Sequence, residues 1–312
     1  MKGEFDAASA IMDEVGQLIQ SIQDGISSVA DILLRDMAAV VYGSNAKARR
    51  GLGLDETLQL CMLIFSGQVE PCSFRTPDYQ AKLEKLIRKN IDPAATHVIR
   101  SRREVVQHAV AFQHLVNEFV HDEKPMTEGL IKETHAILVK GISAAGAGFL
   151  DTSKEFGGIY RKDDVFIGVQ QCPKPKDIPV AMASMVKNLG IELDAAEKAG
   201  CLDPFALAAK YCDRFVNIHP FRDGNGRMCR LILNVILIKY AGIVVNVGEH
   251  DQSRDEYLAT AQESRAVGGH AGPLATLVLR EGYKSLRRIR DTLRKTKAWA
   301  LKQDSKGKEK QV

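Results

Sequence analysis

The chain has 312 residues, a formal net charge of +4 at pH 7, 26% charged residues and 45% hydrophobic residues. This composition is ordinary for a globular protein with a sizeable core, and so small a positive charge does not favour a nucleic-acid binder. The N-terminus lacks the apolar segment of a signal peptide, and no apolar run is long enough to cross a bilayer. The six cysteines form no CxxC pair, which indicates reduced packing residues. We therefore expect a cytoplasmic protein with neither a membrane nor a nucleic acid as partner.

Helical patterns dominate the chain. Apolar residues recur at spacings of three and four between residues 6 and 41, which predicts one long helix or two in tandem. Thr127 is a candidate N-cap for a helix that reaches Ile142. Further helices are predicted at 56–67, 78–89, 97–121, 179–193, 204–218, 227–242, 253–265 and 273–302. The last ten residues, 303–312, are strongly polar and predict a disordered tail.

One glycine-rich stretch interrupts the helices. Two short apolar segments lie on either side of the turn sequence RKDD, 161–164. This arrangement predicts a single β-hairpin. Its two strands would contain Gly158, Ile159 and Tyr160 on one side, and Val165, Phe166 and Ile167 on the other.

The sequence HPFRDGNGR, His219–Arg227, connects two apolar helices and is called here the 219–227 loop. Asp203 is a candidate N-cap of the first helix, and Pro220 should hold His219 in an extended conformation at its end. The second helix is apolar nearly all round and should end at Gly242. Glycines that lead into a helix N-terminus present backbone N–H groups to a common point. The loop is therefore a candidate anion site.

This loop resembles the signature of the Fic family. Every fixed position of that motif is matched, by His219, Phe221, Asp223, Gly224, Asn225, Gly226 and Arg227, and Arg230 matches the second arginine of its longer form. The resemblance covers about residues 95–290. It implies a mostly α fold, a Fic-type helical bundle with one short β-hairpin. In this family the hairpin is a flap that holds an extended segment of a target protein beside the active site.

The resemblance also implies an activity, the transfer of AMP from ATP to a Ser, Thr or Tyr hydroxyl of a target protein. His219 would be the general base, with Asn225 and Arg227 as further catalytic residues. Asp223 would bind Mg²⁺, while Gly224, Asn225 and Gly226 would donate to the phosphates. Arg227 and Arg230 would clamp the distal phosphates, and Phe221 would be buried to fix the loop. Self-modification and homodimer formation stay open.

An N-terminal extension, residues 1–94, precedes the expected catalytic domain, 95–290, and a basic helix end with the tail follows at 291–312. Many family members restrain themselves with a glutamate that pairs with the second arginine of the signature. The best-placed stretch here begins at Ser44 but has Ala48 where that glutamate should be. One hypothesis is that Arg230 is left unpaired and the enzyme is constitutively active. The other makes Glu70, or a partner protein's glutamate, the inhibitor.

Other readings are open at this stage. Relatives that transfer UMP, GMP or phosphocholine share the motif, whereas Gly226 argues against the branch that transfers a phosphoryl group, which has lysine there. A metal phosphohydrolase would use the adjacent His121 and Asp122, with His108 and His114 nearby. A non-enzymatic helical scaffold is the third alternative, including a nucleic-acid binder that uses the cationic C-terminal helix.

Overall fold

The structure is a computed structural model that describes residues 2–22, 25–46, 53–68, 93–142, 153–167, 170–247 and 272–309, with 256, 259, 260 and 263. Helices make up most of these residues, so the predicted mostly α fold is confirmed. The helices are α1 (Lys2–Ser21), α2 (Gly25–Ala46), α3 (Leu54–Phe65), α4 (Pro93–Val116), α5 (Glu128–Val139), α6 (Ser153–Phe156), α7 (Ile178–Ala199), α8 (Pro204–Ile218), α9 (Asn225–Ala241) and α10 (Gly272–Glu309). A π-helical turn, Asn117–His121, extends α4, and a short 3₁₀ turn, Pro175–Asp177, precedes α7.

The N-terminal pattern forms two helices in tandem, α1 and α2. Helix α1 packs along α10, and α2 packs against α3 and α4. Buried apolar side chains from Ala8 in α1 to Leu293 in α10 belong to one continuous core. The N-terminal helices therefore share their core with the rest of the fold, and the functional division at residue 94 stays a prediction. The predicted helix 78–89 lies outside the described residues, as does most of the predicted helix 253–265.

Local capping signals place several helix ends correctly. Thr127 Oγ1 accepts a hydrogen bond from the backbone N of Leu130 at 3.1 Å and begins α5. That helix ends at Val139, before the predicted Ile142. Asp203 Oδ1 lies 3.0 Å from two backbone nitrogens of the first turn of α8, as expected for its N-cap. Gly242 ends α9 in the left-handed conformation.

One strand of the predicted hairpin is wrong, whereas the other, Val165–Ile167, contains the observed β1. The structure pairs β1 (Phe166–Ile167) with β2 (Gln170–Gln171) in antiparallel register. Tyr160, expected in the first strand, instead forms an isolated bridge with Phe221. The backbone N of Arg161 donates to Pro220 O at 2.9 Å. The segment 158–161 therefore pairs with the backbone of the 219–227 loop. Residues 165–167 of the predicted flap belong to the hairpin.

The predicted disordered tail is also partly wrong. Helix α10 continues to Glu309, so residues 303–309 are helical and the boundary expected near residue 290 falls inside one helix. Lysine, glutamine and glutamate favour helix propagation once a long helix already exists. Among the described helices, none combines the length and apolar character needed to cross a membrane. The described cysteines are free thiols, and all but Cys201 are buried, in agreement with the packing role expected for them.

Candidate active site

His219 lies at the C-terminus of α8 in a left-handed conformation, with φ 49° and ψ 58°. The prediction that Pro220 keeps it extended is wrong. In the observed conformation its backbone N–H caps α8 by donating to Phe215 O at 3.1 Å. A non-glycine residue with positive φ is uncommon and persists only where the surrounding structure stabilises it.

The imidazole of His219 is oriented by the same helix end. Its Nδ1 lies 3.3 Å from Val216 O. A carbonyl oxygen can only accept, so Nδ1 carries the proton and Nε2 carries the lone pair. This tautomer is the one required of a general base that acts through Nε2.

Arg161 holds the backbone of this region from the other side. Its guanidinium is buried and donates through Nε to His219 O at 2.8 Å. Its two terminal nitrogens donate to Asp163 O and Pro173 O, each at 2.6 Å. Arg161 thus ties the unusual conformation at His219 to the segment that leads into the hairpin. Sequence reasoning missed this role, because an arginine in a predicted turn gives no sign that it is buried.

Phe221 is fully buried, as predicted, and the residue that fixes it is His135 of α5. The two rings stack with centroids 3.7 Å apart and an interplanar angle of 3°. His135 Nδ1 accepts from the backbone N of Gly158 at 2.9 Å, which leaves Nε2 to donate to Asp223 O, also at 2.9 Å. Gly158 has φ +73°, and a Cβ there would lie 2.7 Å from Lys132 O, so the position requires glycine.

The side chain of Asn225 is bonded within the 219–227 loop. Its Oδ1 accepts from Phe221 N at 3.0 Å, and its Nδ2 donates to Phe221 O at 2.8 Å. The amide is buried and is used to close the 219–227 loop on itself. As a phosphate ligand Asn225 can offer only its backbone N–H.

The predicted catalytic and nucleotide-binding residues line one cavity of about 340 Å³, and the predicted flap residues are not part of its lining. That volume is within the range of small-molecule sites. The loop and α9 contribute His219, Arg222, Asp223, Gly224, Asn225, Gly226, Arg227 and Arg230, and the helices α2 and α4 contribute Ser44, Asn45 and Glu104. The structure therefore brings the candidate base, the carboxylate and both signature arginines together.

Asp223 has the position expected of a metal ligand. Its Oδ1 accepts from Gly224 N at 2.6 Å, while its Oδ2 lies 3.8 Å from Arg227 Nη2. The side chain is 34% exposed and lines the cavity, and it does not cap α9, whose N-cap is Gly224. Mg²⁺ prefers one or two carboxylate oxygens together with phosphate and water. The residues present therefore fit that ion.

Arg230 contacts the N-terminal extension directly. Its Nε donates to Ser44 Oγ of α2 at 2.7 Å, and both side chains are buried. The structure thus brings the beginning of the degenerate inhibitory stretch to the second signature arginine. Ala48 and Glu70 lie outside the described residues. The regulatory hypotheses that depend on them stay predictions.

Three cavity residues were not anticipated from the sequence: Asn45, Glu104 and Arg222. Glu104 is 2% exposed and forms an ion pair with Arg100 Nε at 3.2 Å. Its place in α4, far from the motif in sequence, gave no signal of proximity. Arg222 occupies one of the two variable positions of the motif, which therefore gives no indication of its role.

The rival metal-phosphohydrolase reading finds no support in the described part of the chain, which contains no group of three or more His, Cys, Asp or Glu placed to hold a metal. His121 and Asp122 are exposed, whereas His108 is completely buried. Burial, reinforced by the charges of Arg227 and Arg230, holds the pKa of His108 well below 6.5. His108 is therefore a neutral core residue behind the cavity.

Comparison with known proteins identifies a family domain in part of the chain. The model of the Fic/DOC family matches residues 125–237, which run from the start of α5 through the hairpin and the 219–227 loop to α9. The chain therefore contains a Fic/Doc family domain. The domain boundaries expected from the sequence, 95–290, are wider than this match and stay a prediction.

Curated relatives match over part of the chain. A Fido domain-containing protein of Dictyostelium discoideum is 37% identical over 83 residues, which are 27% of this chain and 55% of that protein. A protein adenylyltransferase Fic of Culex quinquefasciatus is 32% identical over 109 residues, which are 34% of this chain and 21% of that protein. The matched region thus spans about half of one relative and about a fifth of the other.

Solved structures extend the likeness to the whole fold. A Fic domain-containing signaling protein from Bacteroides thetaiotaomicron has a TM-score of 0.65 at 22% identity and covers 92% of this chain and 98% of that one. The Fic-1 protein of C. elegans has a TM-score of 0.62 at 20% identity and covers 92% of this chain and 70% of that one. The likeness in fold therefore extends well beyond the residues that the family model matches.

Proposed function

We propose that the protein is an adenylyltransferase that moves AMP from ATP to a hydroxyl of a target protein. One observation carries the proposal: His219, Asp223, Arg227 and Arg230 line a single cavity. A base, a carboxylate suited to Mg²⁺ and two cations are the groups that nucleotidyl transfer needs. Homologues named protein adenylyltransferase Fic support the same transferase class.

In the proposed reaction His219 Nε2 accepts the proton of the target Ser, Thr or Tyr hydroxyl. The hydroxyl oxygen then forms a bond to the α-phosphorus, the bond from that phosphorus to the bridging oxygen breaks, and pyrophosphate leaves. The backbone N–H groups of Asn225 and Gly226 lie at the N-terminus of α9, where the helix dipole favours negative charge, whereas the Gly224 N–H already donates to Asp223 Oδ1. The N–H groups of Asn225 and Gly226 stabilise the charge that develops on the α-phosphate oxygens.

The distal phosphates would be bound by Arg227 and Arg230, three residues apart in the first two turns of α9. Asp223 would hold Mg²⁺, which neutralises phosphate charge when bound. The distance of 3.8 Å between Asp223 Oδ2 and Arg227 Nη2 is too long for a tight ion pair. A metal ion would therefore compete easily with Arg227 for this carboxylate.

The hairpin is the proposed docking element for the target. Phe166 of β1 is 60% exposed, and Ile159, just before the bridge to the 219–227 loop, is 45% exposed. An extended segment that adds to β1 by main-chain hydrogen bonds would leave its reactive side chain near His219. Cytoplasmic location and homodimer formation remain predictions beside this proposal.

The test uses the full chain with ATP labelled at either the α- or the γ-phosphate, and follows label on protein, including self-modification. We expect label from the α-phosphate only, and its loss in His219→Ala. Transfer of the γ-label would identify a phosphoryl transferase. No label from ATP, GTP, UTP or CDP-choline would favour the non-enzymatic scaffold.

A further inference from the structure

Asn45 is an unusual residue in the cavity wall. It lies in the last turn of α2, next to Ser44, and is 3% exposed. Its Nδ2 has no hydrogen-bond partner among the described residues, although the residue lines the same cavity as Arg227 and Arg230. Buried amide donors are nearly always paired, and an unpaired one is energetically unfavourable. A ligand that supplies an acceptor removes this cost.

We propose that the side-chain amide of Asn45 donates a hydrogen bond to the terminal phosphate of the bound nucleoside triphosphate. The last turn of α2 is then part of the nucleotide site. This inference rests on the proposed function, because it takes ATP as the ligand. It adds a contact from the N-terminal extension to those expected from the 219–227 loop.

The position of α2 identifies which phosphate is involved. The reacting α-phosphate must lie beside His219 and the N-terminus of α9, since the base and the developing charge are there. Arg230 lies three residues after Arg227 on α9, which is nearly one turn further from the loop. The Nε of Arg230 contacts Ser44 of α2. The triphosphate therefore runs from the loop towards Arg230, and its far end reaches the turn that carries Asn45.

The polarity of this turn suits an anion. Helix α2 brings a hydroxyl and an amide to the cavity, and neither of its lining residues is acidic. The acidic lining residues are Asp223 in the loop and Glu104, which is paired with Arg100. A neutral donor beside Arg230 adds to the attraction for a phosphate without opposing it.

The test measures the affinity of the full chain for ATP and ADP by calorimetry, in a His219→Ala background that prevents turnover. Asn45→Leu has nearly the same size but lacks the donor. Loss of a hydrogen bond to a charged group corresponds to about tenfold weaker binding or more. We expect that loss for ATP, with ADP affinity unchanged within about twofold. Thr57→Val is the control, because it removes another buried, unpaired polar group, in α3 and outside the cavity lining.

An unchanged ATP affinity in Asn45→Leu would overturn the proposal, and so would an equal loss for ATP and ADP. The leucine variant should unfold at the same temperature as the parent or higher, because it removes an unpaired buried donor. If it does not fold, Asn45→Ala provides the same comparison. The readout is binding alone, so a failure of AMP transfer in the earlier test leaves this result interpretable. A failure here leaves the chemistry at His219 untouched.

Discussion

The 219–227 loop and the last turn of α2 line the same cavity but are held in different ways. The backbone of the loop is bound by His135 and Arg161 from other elements and by Asn225 within the loop. The last turn of α2 meets Arg230 through the hydrogen bond to Ser44. The loop geometry is thus fixed by several side chains, whereas the proposed extra contact with the terminal phosphate would come from a separate helix, α2.

Phe221→Ala should destabilise the 219–227 loop. The ring is fully buried against His135, so its removal is expected to lower the free energy of unfolding by about 3–5 kcal/mol. Phe166→Ala is the matched control, because that ring is 60% exposed and its loss should change stability by less than about 0.5 kcal/mol. Urea unfolding measures both. Equal losses would show that Phe221 does not organise the loop.

Acid should loosen the loop through His135. Burial, with a smaller contribution from the charge of Arg227, lowers the pKa of His135 to about 4 from 6.5. The unfolded chain therefore binds a proton first as the pH falls. The stabilisation is fully present above about pH 6.5 and is lost progressively down to about pH 4, by up to about 3 kcal/mol.

The matched variant for this effect is His135→Gln, whose amide retains an acceptor and a donor but does not titrate. We expect its free energy of unfolding to fall less steeply than that of the wild type between pH 6.5 and pH 4. His108 titrates in the same direction and stays in both proteins, so the comparison isolates His135. Identical slopes would contradict the account.

Ala48→Glu should block the contact between Arg230 and the terminal phosphate. A carboxylate at this position is expected to pair with Arg230 and displace the terminal phosphate. A hydrogen bond between charged groups is worth about 1.5–3 kcal/mol, so AMP transfer should fall at least about tenfold. Initial rates with labelled ATP measure the effect, and Ala48→Gln controls for side-chain size.

Unchanged activity in Ala48→Glu would reject the hypothesis that the missing glutamate makes the enzyme constitutively active. The competing hypothesis then needs Glu70 as the inhibitor. Under that hypothesis Glu70→Gln raises the turnover, and a rate equal to wild type rejects it. The two substitutions together decide whether restraint comes from this chain.

The sequence predicted the parts of the fold that depend on neighbouring residues. The caps at Thr127, Asp203 and Gly242 and the burial of Phe221 follow from local patterns, and the structure agrees. The motif likewise located the candidate site, because most of its residues are contiguous in sequence.

Long-range contacts were not predictable in the same way. His135 is 88 residues from the Asp223 carbonyl to which it donates, and Ser44 is 186 residues from Arg230. The first strand of the hairpin was misplaced because its pairing partner is also distant in sequence. The pattern indicates an extended segment at Tyr160, but it does not show that this segment pairs with Phe221. The conformation of His219 also depends on the hydrogen bond from Arg161. The adjacent Pro220 gives no sign of that contact in the sequence.

The central claim is that the 219–227 loop performs the chemistry and the last turn of α2 binds the end of the triphosphate. The most direct test measures both the ATP dissociation constant and the maximal transfer rate for His219→Ala and Asn45→Leu. We expect His219→Ala to lower the rate by about 100-fold or more with unchanged affinity. Asn45→Leu should weaken ATP binding by about tenfold and leave the rate at saturating ATP within about threefold of wild type. If both variants change the same quantity, the division between loop and helix is wrong.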